Sequence, residues 1–329
     1  MIQLIIKARE IPIEIVKNEA LLRRIRPTHP KRTEIEADLA KRWAGYRGEL
    51  ITDYYLQELP EKDYYIFHDL RYPSGKNYFQ IDTLILTSFF SLLIETKNIS
   101  GTLTFNRDFR QIIQTKDEME KGYQDPIAQG SRHQRLFKNL LQEWGFSNLP
   151  IISLAVISKP STILKAETNR TEVSRKVCFA FEVPQKVDLL RNHYLEVIIG
   201  PKVIKKLCKN LLKSHTPKEF APLTYYQISP SDIIPGVQCP ICSAFEMVRK
   251  QGIWICPKCN CHSRVAHIPA IQDYLLLLDS KITNQKCCDF LHLTSSDIAK
   301  YLLTTMNLAY SGTNKGRVYF SKEIPAKKP

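Results

Sequence analysis

The chain has 329 residues, of which 43% are hydrophobic and 10% aromatic, so it is long enough for two or three globular domains with a sizeable core. No apolar run approaches the roughly 20 residues that cross a bilayer, so we expect no membrane partner. The N-terminus lacks the basic segment and cleavage pattern of a secretory signal, and we expect a cytoplasmic protein. The net charge of +14 favours a polyanionic partner, although it would also serve solubility alone.

A short strand and a helix are predicted within residues 1–30, followed by a long helix over residues 31–59. That helix contains Gly45 and Gly48, each of which costs about 1 kcal/mol relative to alanine. Such a cost is tolerable where the helix backbone packs closely against a neighbouring element. Glu49 follows directly, but a glutamate on a helix is usually solvated, so by itself it indicates no function.

A series of strands follows, and the turn between two of them decides which side chains meet. If the turn is the two-residue Ser88-Phe89, Thr87 pairs with Phe90, and a one-residue change would shift every side chain to the other face. The strands are predicted near residues 63–70, 78–87, 91–98, 101–106 and 109–114.

The same turn would place Asp82 directly opposite Glu95, on one face of the sheet. Lys97 lies two residues after Glu95 and therefore faces the same way. Two carboxylates and an ammonium are costly to desolvate unless they hold a cation or take part in chemistry. They suit hydrolysis of a phosphodiester assisted by Mg²⁺ or Mn²⁺, with Lys97 stabilising the developing charge. The alternative is a surface salt-bridge cluster at a strand end.

The remaining elements of this region alternate helix and strand. Asp125-Pro126 begins a helix that ends near Trp144, with proline at a favoured early position. The order of elements is typical of an α/β fold with a mixed central sheet flanked by helices. The later predictions are strands over residues 151–157 and 177–181 and helices over residues 184–195 and 200–214.

Four short segments in this order resemble the nuclease-related domain (NERD) family of the PD-(D/E)xK nuclease-like superfamily. They are Gly45-Tyr-Arg-Gly-Glu49, Gln80-Ile-Asp82, Glu95-Thr-Lys97 with Gly101 four residues on, and Asp125-Pro-Ile-Ala-Gln129. The resemblance covers about residues 38–150 and implies a restriction-endonuclease-like fold. It implies nuclease activity less firmly than it implies that fold.

Carried over to this sequence, the resemblance assigns a role to each matching residue. Glu49 would be an acid on a helix, Asp82 and Glu95 the principal metal ligands, and Lys97 the catalytic lysine. Gln129 would face the same site from the later helix. Arg132, three residues after Gln129, could contact phosphates, although an exposed basic helix face is the more common explanation. His133 is not needed by this mechanism and is not assigned to the site.

Cys239-Pro-Ile-Cys242 and Cys256-Pro-Lys-Cys259 form two CxxC pairs, a pattern that in a reducing compartment indicates zinc. Four thiolates close a tetrahedral site, so this Zn²⁺ would be structural and have no catalytic role. With its prolines and Trp254, the segment resembles the zinc ribbons of DNA topoisomerase C-terminal regions. Cys261 is adjacent, but only Cys259 completes the two-residue spacing.

The last residues resemble a helix-turn-helix with a short basic hairpin, although a plain helical cap with a terminal strand is equally compatible with the pattern. We expect nucleic-acid contacts from basic residues of the ribbon and hairpin, in addition to Arg132. These residues are Arg249, Lys250, Lys258, Lys315 and Arg317.

The expected organisation has five parts: an N-terminal extension, a nuclease-related domain, a linker, a zinc ribbon and a helical C-terminal region. The sequence thus predicts a metal-dependent DNA nuclease whose C-terminal modules bind DNA. Two alternatives remain open: a DNA-binding protein with a vestigial nuclease fold, and a regulatory protein whose ribbon binds a protein partner. The predicted boundaries are 1–37, 38–214, 215–235, 236–265 and 266–329.

Overall fold

The computed structural model describes residues 4–60, 64–146, 148–313 and 316–321. The helices are α1 (Ile13–Arg24), α2 (Arg32–Leu56), α3 (Pro126–Glu143), α4 (Arg170–Lys176), α5 (Val183–His193), α6 (Pro201–Ser214), α7 (Pro222–Tyr226), α8 (His267–Leu277), α9 (Asn284–Leu291) and α10 (Ser296–Thr305). The strands are β1 (Leu4–Lys7), β2 (Tyr65–Ser74), β3 (Asn77–Leu86), β4 (Ser91–Lys97), β5 (Thr102–Asn106), β6 (Gln111–Lys116), β7 (Met119–Gln124), β8 (Ile151–Ile157), β9 (Ile163–Ala166), β10 (Val177–Phe179), β11 (Val248–Lys250), β12 (Ile253–Ile255), β13 (His262–Ser263), β14 (Lys281–Thr283), β15 (Ala309–Ser311) and β16 (Val318–Phe320).

The chain divides into two compact units. The first consists of Met1–Ile11 with Trp43–Lys218, and the second of Pro12–Arg42 with Glu219–Pro329. Helix α2 contributes residues to both. Among the described residues, no helix is both long and apolar enough to cross a lipid bilayer.

The first unit is built on a six-stranded mixed sheet in the order β1-β2-β3-β4-β8-β10. Helices cover both faces, because each face of the sheet carries its own apolar core. Phe137 of α3 and Leu207 of α6 pack into one core, and Leu56 of α2 and Val187 of α5 pack into the other. The predicted α/β architecture, with a mixed sheet flanked by helices, is thereby confirmed.

The turn between β3 and β4 has the two residues that the sequence predicted. The backbone amide of Thr87 donates to the carbonyl of Phe90 at 2.9 Å, and Oγ1 of Thr87 accepts from the amides of Phe89 and Phe90. The ladder runs from the Leu86–Ser91 pair to the Thr83–Ile94 pair. This register brings Asp82 opposite Glu95 just where the ladder ends.

Strands β2 and β3 are irregular at the same level. Their ladder pairs the residues on both sides of Asp69 and Asp82 but not these two, and Asp69 has a φ of +53°. Ile81 and Leu84 nevertheless pack into the same apolar core, although three residues separate them. Because strand side chains alternate with a period of two, the strand must change faces between them. Asp82 lies at this irregularity.

A second sheet of four strands, in the order β7-β6-β5-β9, completes the first unit. Its edge strands β7 and β9, together with helix α4, were not predicted. Strand β7 is almost entirely exposed, so it lacks the alternation that marks a half-buried strand, and pairing with β6 holds it in place. This is a tertiary effect that a local pattern does not record.

The second unit combines helix α1 with the C-terminal part of the chain. Helix α1, predicted within an N-terminal extension, packs on α8, where Arg24 and Asp273 form a buried ion pair at 2.8 Å. The predicted linker 215–235 contains α7, and its Tyr226 and Ile233 are buried in the unit's core. Trp254 of the cysteine segment joins the same core, so these parts form one unit.

The C-terminal part of this unit has two consecutive helices followed by a hairpin. Helices α9 and α10 are joined by four residues, and Ser295 caps α10 by accepting from the amide of Asp297. Strands β15 and β16 then pair with each other, and β14 completes the sheet in the order β14-β16-β15. This arrangement is compatible with both alternatives, the helix-turn-helix with a short hairpin and the plain helical cap with a terminal strand.

Candidate active site and metal centre

Three predicted side chains form a hydrogen-bonded group where β4 meets α3. Nζ of Lys97 donates to Oε1 of Glu95 at 2.8 Å and to Oε1 of Gln129 at 3.1 Å. Nε2 of Gln129 donates to Glu95 at 2.6 Å. Helix α3 can begin here because Asp125 caps it and Pro126 occupies its first turn, which places Gln129 over the end of β4.

Asp82 lies beside this group at the end of the β3–β4 ladder. Its Oδ2 accepts a hydrogen bond of 3.0 Å from the backbone amide of Thr96, and no described residue donates to its Oδ1. Burial, together with the negative charges of Glu95 and Glu49, raises the pKa of Asp82 well above its ordinary value. Ionised Asp82 therefore needs a further positive charge.

Glu95 and Lys97 behave as an ion pair. Burial opposes the charge on Glu95, but hydrogen bonds from His133 and Lys97 outweigh it and lower the pKa of this carboxyl. Burial likewise opposes the charge on Lys97, and the neighbouring Glu95 and Asp82 raise the pKa of its ammonium above the ordinary value. Lys97 thus compensates Glu95 but leaves the charge of Asp82 unbalanced.

His133 joins the group, although sequence reasoning left it out. Its Nδ1 lies 3.5 Å from Oε2 of Glu95, the oxygen that Lys97 and Gln129 do not contact. His133 is buried and follows Gln129 by four residues on α3. Because residues four apart share one face of a helix, this spacing was a signal that could have found it.

Glu49 reaches the site because α2 packs closely against the first unit's sheet. A Cβ added to Gly48 would lie 2.6 Å from Cβ of Asn98 and 2.9 Å from Oγ of Ser158, so only glycine permits this approach. Gly45, by contrast, faces open space, and close packing does not require it.

The carboxylate of Glu49 is paired with Arg9, a residue that the sequence analysis did not identify. Nη1 of Arg9 donates to Glu49 at 2.7 Å and to Asp69 at 3.1 Å, and its Nε donates to Asp53 at 2.6 Å. The Arg9 side chain is only 3% exposed. One buried guanidinium therefore holds three carboxylates together beside Asp82.

Despite the contact with Arg9, this environment disfavours the ionised form of Glu49. Burial raises the pKa of Glu49 to about 7, even though Arg9 favours the charged form. The carboxylate oxygens of Glu49, Asp82 and Glu95 are the donors that Mg²⁺ prefers, so their chemistry fits such an ion, but the three acids do not form a close group of the kind that the four cysteines described below form. Binding of the ion by all three would require Glu49 to share or leave the guanidinium of Arg9.

The four CxxC cysteines form the other candidate metal centre. Sγ of Cys239 lies 3.6 Å from that of Cys259, and Sγ of Cys242 lies 3.5 Å from that of Cys256. All four sulfurs lie within 4.8 Å of one another, and in the described part of the chain no other set of three or more potential metal ligands was found this close together. Tetrahedral Zn²⁺ with Zn–S bonds of about 2.3 Å requires sulfurs about 3.8 Å apart, so the cluster is compatible with a zinc ribbon.

The second unit holds its ribbon through Trp254. The indole Nε1 donates to Nδ1 of His267 at 3.2 Å, and both side chains are buried. Cys261 interacts with Cys239 but does not belong to the group of four closely spaced sulfurs. The two-residue spacing thus selects the same four cysteines as the geometry.

The predicted nucleic-acid contacts lie in different environments. Arg132 on α3 and the ribbon residues Lys250 and Lys258 are exposed. Arg249, by contrast, is partly buried over the ring of Trp254, and the guanidinium of Arg317 lies 4.5 Å from the ring centroid of Tyr310. Lys315, also predicted as a contact, lies outside the described residues.

Comparisons with known proteins support the family resemblance. Residues 44–158 match the model of the nuclease-related domain family, which confirms the resemblance over most of the predicted range. A protein of Bacillus anthracis, described as uncharacterized, is 24% identical over 132 residues. The matched stretch covers 40% of this chain and 60% of that relative, which is less than two thirds of its length. No solved structure matches the chain.

Proposed function

We propose that the protein is a metal-dependent nuclease that hydrolyses phosphodiester bonds of DNA. The observation that carries this proposal is the placement of Lys97 between Glu95 and Gln129, beside Asp82, inside the stretch that matches the nuclease-related domain. A lysine next to the uncompensated carboxylate of Asp82 is suited to phosphoryl chemistry, because the acids can bind a cation while the ammonium faces the reacting phosphate.

Asp82 and Glu95, joined by Glu49, would hold one Mg²⁺ or Mn²⁺ ion. When bound, such an ion polarises the phosphate and lowers the pKa of a coordinated water. Lys97 remains positively charged because its pKa is raised, so it can orient the attacking water and stabilise the charge that develops on the phosphate. Gln129 fixes this arrangement by accepting a hydrogen bond from Lys97 and donating one to Glu95.

The second unit would supply affinity for DNA, and one structural Zn²⁺ would hold its ribbon together. Helix α10 exposes Lys300 and Tyr301, and the ribbon exposes Lys250 and Lys258. Basic side chains of this kind contact phosphates, while a helix that follows a short turn suits the major groove. The acidic site would repel DNA until a cation binds, so attraction and chemistry would reside in different parts of the chain.

The test is cleavage of supercoiled, linear duplex and single-stranded DNA and of RNA, with Mg²⁺ or Mn²⁺. The Glu95→Ala, Lys97→Ala double variant should lose metal-dependent cutting of every substrate that the wild type cuts. A Glu120→Ala, Lys165→Ala double variant is the matched control, because it removes one acid and one lysine from exposed positions of β7 and β9. Equal cutting by all three proteins would refute the assignment of the site.

A further inference from the structure

An open cavity of about 480 Å³ lies on the first unit beside the candidate active site. It is formed by the β2–β3 hairpin, helix α3 and the chain that follows α6. Four cations line it, and none of its described lining residues is acidic. These cations are Arg71, Lys76, Arg132 and Lys218.

In the described part of the chain, Arg71, Lys76 and Arg132 form no ion pair that would cancel their positive charge. Lys76 and Arg132 are exposed, and in the described part of the chain neither forms an ion pair with a carboxylate. Arg71 donates to the carbonyls of Thr216 and Pro217, which are neutral groups. These bonds hold the Arg71 guanidinium in place without neutralising it. A rigid cation with two exposed cations nearby suits a phosphate.

An aromatic ring accompanies these cations. Tyr78 is 45% exposed, and the guanidinium of Arg71 lies 3.5 Å from the centroid of its ring. Exposed rings in basic grooves bind nucleic acid by stacking on bases, and this works for every base because each has a π face. Cations combined with an exposed ring favour a nucleotide over a simple anion.

The cavity shares structural elements with the candidate active site. Arg132 follows Gln129 by three residues on α3, which places it about 4.5 Å further along the helix axis. Gln80, which lines the cavity, donates to Asp69, and Asp69 in turn accepts from Arg9. Gln80 also precedes Asp82 by two residues on β3, which is about 7 Å along the strand, so the cavity begins about two nucleotide rises of 3.4 Å from Asp82.

We propose that this cavity binds the nucleotide next to the scissile bond, holding its phosphate with Arg71, Lys76 and Arg132 and stacking its base on Tyr78. The proposal rests on the proposed nuclease function, whose substrate it would position. The phosphate can be an internal phosphodiester or the 5′-phosphate that ends a strand. The chemistry that binds it is the same in both cases.

The test measures binding of fluorescent tetranucleotides to the full-length, zinc-loaded protein in buffer without Mg²⁺, Mn²⁺ or a chelator, so that neither cleavage nor loss of zinc contributes. The Lys76→Gln, Arg132→Gln variant should bind about tenfold more weakly, and the slope of log K against log salt should become shallower by about 1.4. The matched control is Arg135→Gln, Lys138→Gln, which removes the same charge from exposed positions of α3 and should stay within about twofold of the wild type. Equal weakening in both variants would mean a general charge effect and would overturn the proposal.

Two further arms identify the ligand. Tyr78→Ala should weaken tetranucleotide binding without changing competition by pyrophosphate, and an unchanged tetranucleotide affinity would overturn the stacking assignment. A 5′-phosphate that strengthens binding tenfold over a 5′-hydroxyl assigns the cavity to strand ends, while equal binding assigns it to internal phosphates. Because binding is measured without Mg²⁺ or Mn²⁺, its dependence on Lys76 and Arg132 is independent of cutting. If the wild type cleaves DNA but tetranucleotide binding does not depend on Lys76 and Arg132, the proposed role of the cavity is wrong. If binding depends on these two residues but no DNA is cleaved, the proposed nuclease function is wrong.

Discussion

The guanidinium of Arg9 donates a hydrogen bond of 2.7 Å to Glu49, the helix-borne acid of the candidate nuclease site. The same side chain binds Asp53 and Asp69, so a permanently charged group of the protein occupies the centre of this acidic cluster. Arg9 can therefore hold Glu49 near Asp82 in the absence of a divalent ion. It also competes with that ion for Glu49.

Replacing Arg9 with methionine should destabilise the first unit by about 3 kcal/mol, because it leaves three carboxylates without their shared cation. Urea unfolding at neutral pH measures this loss. The variant should regain part of its stability in millimolar Ca²⁺, since the ion can replace the missing charge and binds only the folded site.

Arg47→Met is the control, because it removes an exposed arginine from the same helix that carries Glu49. It should unfold within about 0.5 kcal/mol of the wild type and respond to Ca²⁺ as the wild type does. If Arg9→Met were as stable as this control, the guanidinium would not be what holds the acids together.

A second prediction concerns Asp82, whose carboxylate is repelled by Glu95 and Glu49. Asp82→Asn keeps an oxygen that can accept from the amide of Thr96 but removes the charge. The metal-free variant should therefore unfold at a higher urea concentration than the wild type. Its affinity for Mn²⁺ should fall by more than about tenfold, because a principal ligand is lost.

Calorimetric titration with Mn²⁺ and urea unfolding together check this prediction. Asp188→Asn is the control, since Asp188 is exposed on α5 and its replacement should change neither quantity. A variant with lower stability in the absence of metal would show that Asp82 supports the fold. The proposal that Asp82 is a metal ligand whose negative charge destabilises the metal-free protein would then be wrong.

Local chemistry made the central part of this site predictable. The two-residue turn after Thr87 fixes the β3–β4 register, and that register brings Asp82 opposite Glu95. Asp125 and Pro126 mark the start of α3 and hence the position of Gln129. Each of these signals spans only a few residues, so no knowledge of distant contacts was needed.

Arg9 could not be found in this way, because its partners are far along the chain. Forty residues separate it from Glu49 and sixty from Asp69, and nothing near Arg9 marks it as buried. The boundaries of the two units could not be predicted for the same reason. Helix α1 packs on α8 through contacts between residues far apart in the chain, such as Arg24 and Asp273. Such pairings are set by tertiary packing, which a local pattern does not encode.

A third prediction separates metal binding from catalysis at Lys97. Lys97→Met should reduce cleavage by about 10²–10³, because the ammonium that stabilises the developing charge is lost. Mn²⁺ binding should persist, since Asp82 and Glu95 remain and a competing cation has been removed. The cleavage rate and the dissociation constant for Mn²⁺ are the two measurements.

Lys165→Met serves as the control for this variant, because it removes an exposed lysine from β9 of the same unit. It should keep both properties. Wild-type cleavage by Lys97→Met would exclude Lys97 from the chemistry, whereas loss of Mn²⁺ binding would make it a structural support for Glu95.

The last prediction concerns the four cysteines and uses a neighbouring thiol as its control. Cys239→Ser should lower the zinc content from one ion per chain to near zero, because a four-cysteine site that loses a ligand holds zinc poorly. The second unit should then become sensitive to protease, since Cys239 and Trp254 belong to its core, while the first unit stays resistant. Cys261→Ser changes a cysteine outside the cluster and should retain both zinc and protease resistance. Unchanged zinc in Cys239→Ser, or loss of zinc in Cys261→Ser, would refute the assignment of the four ligands.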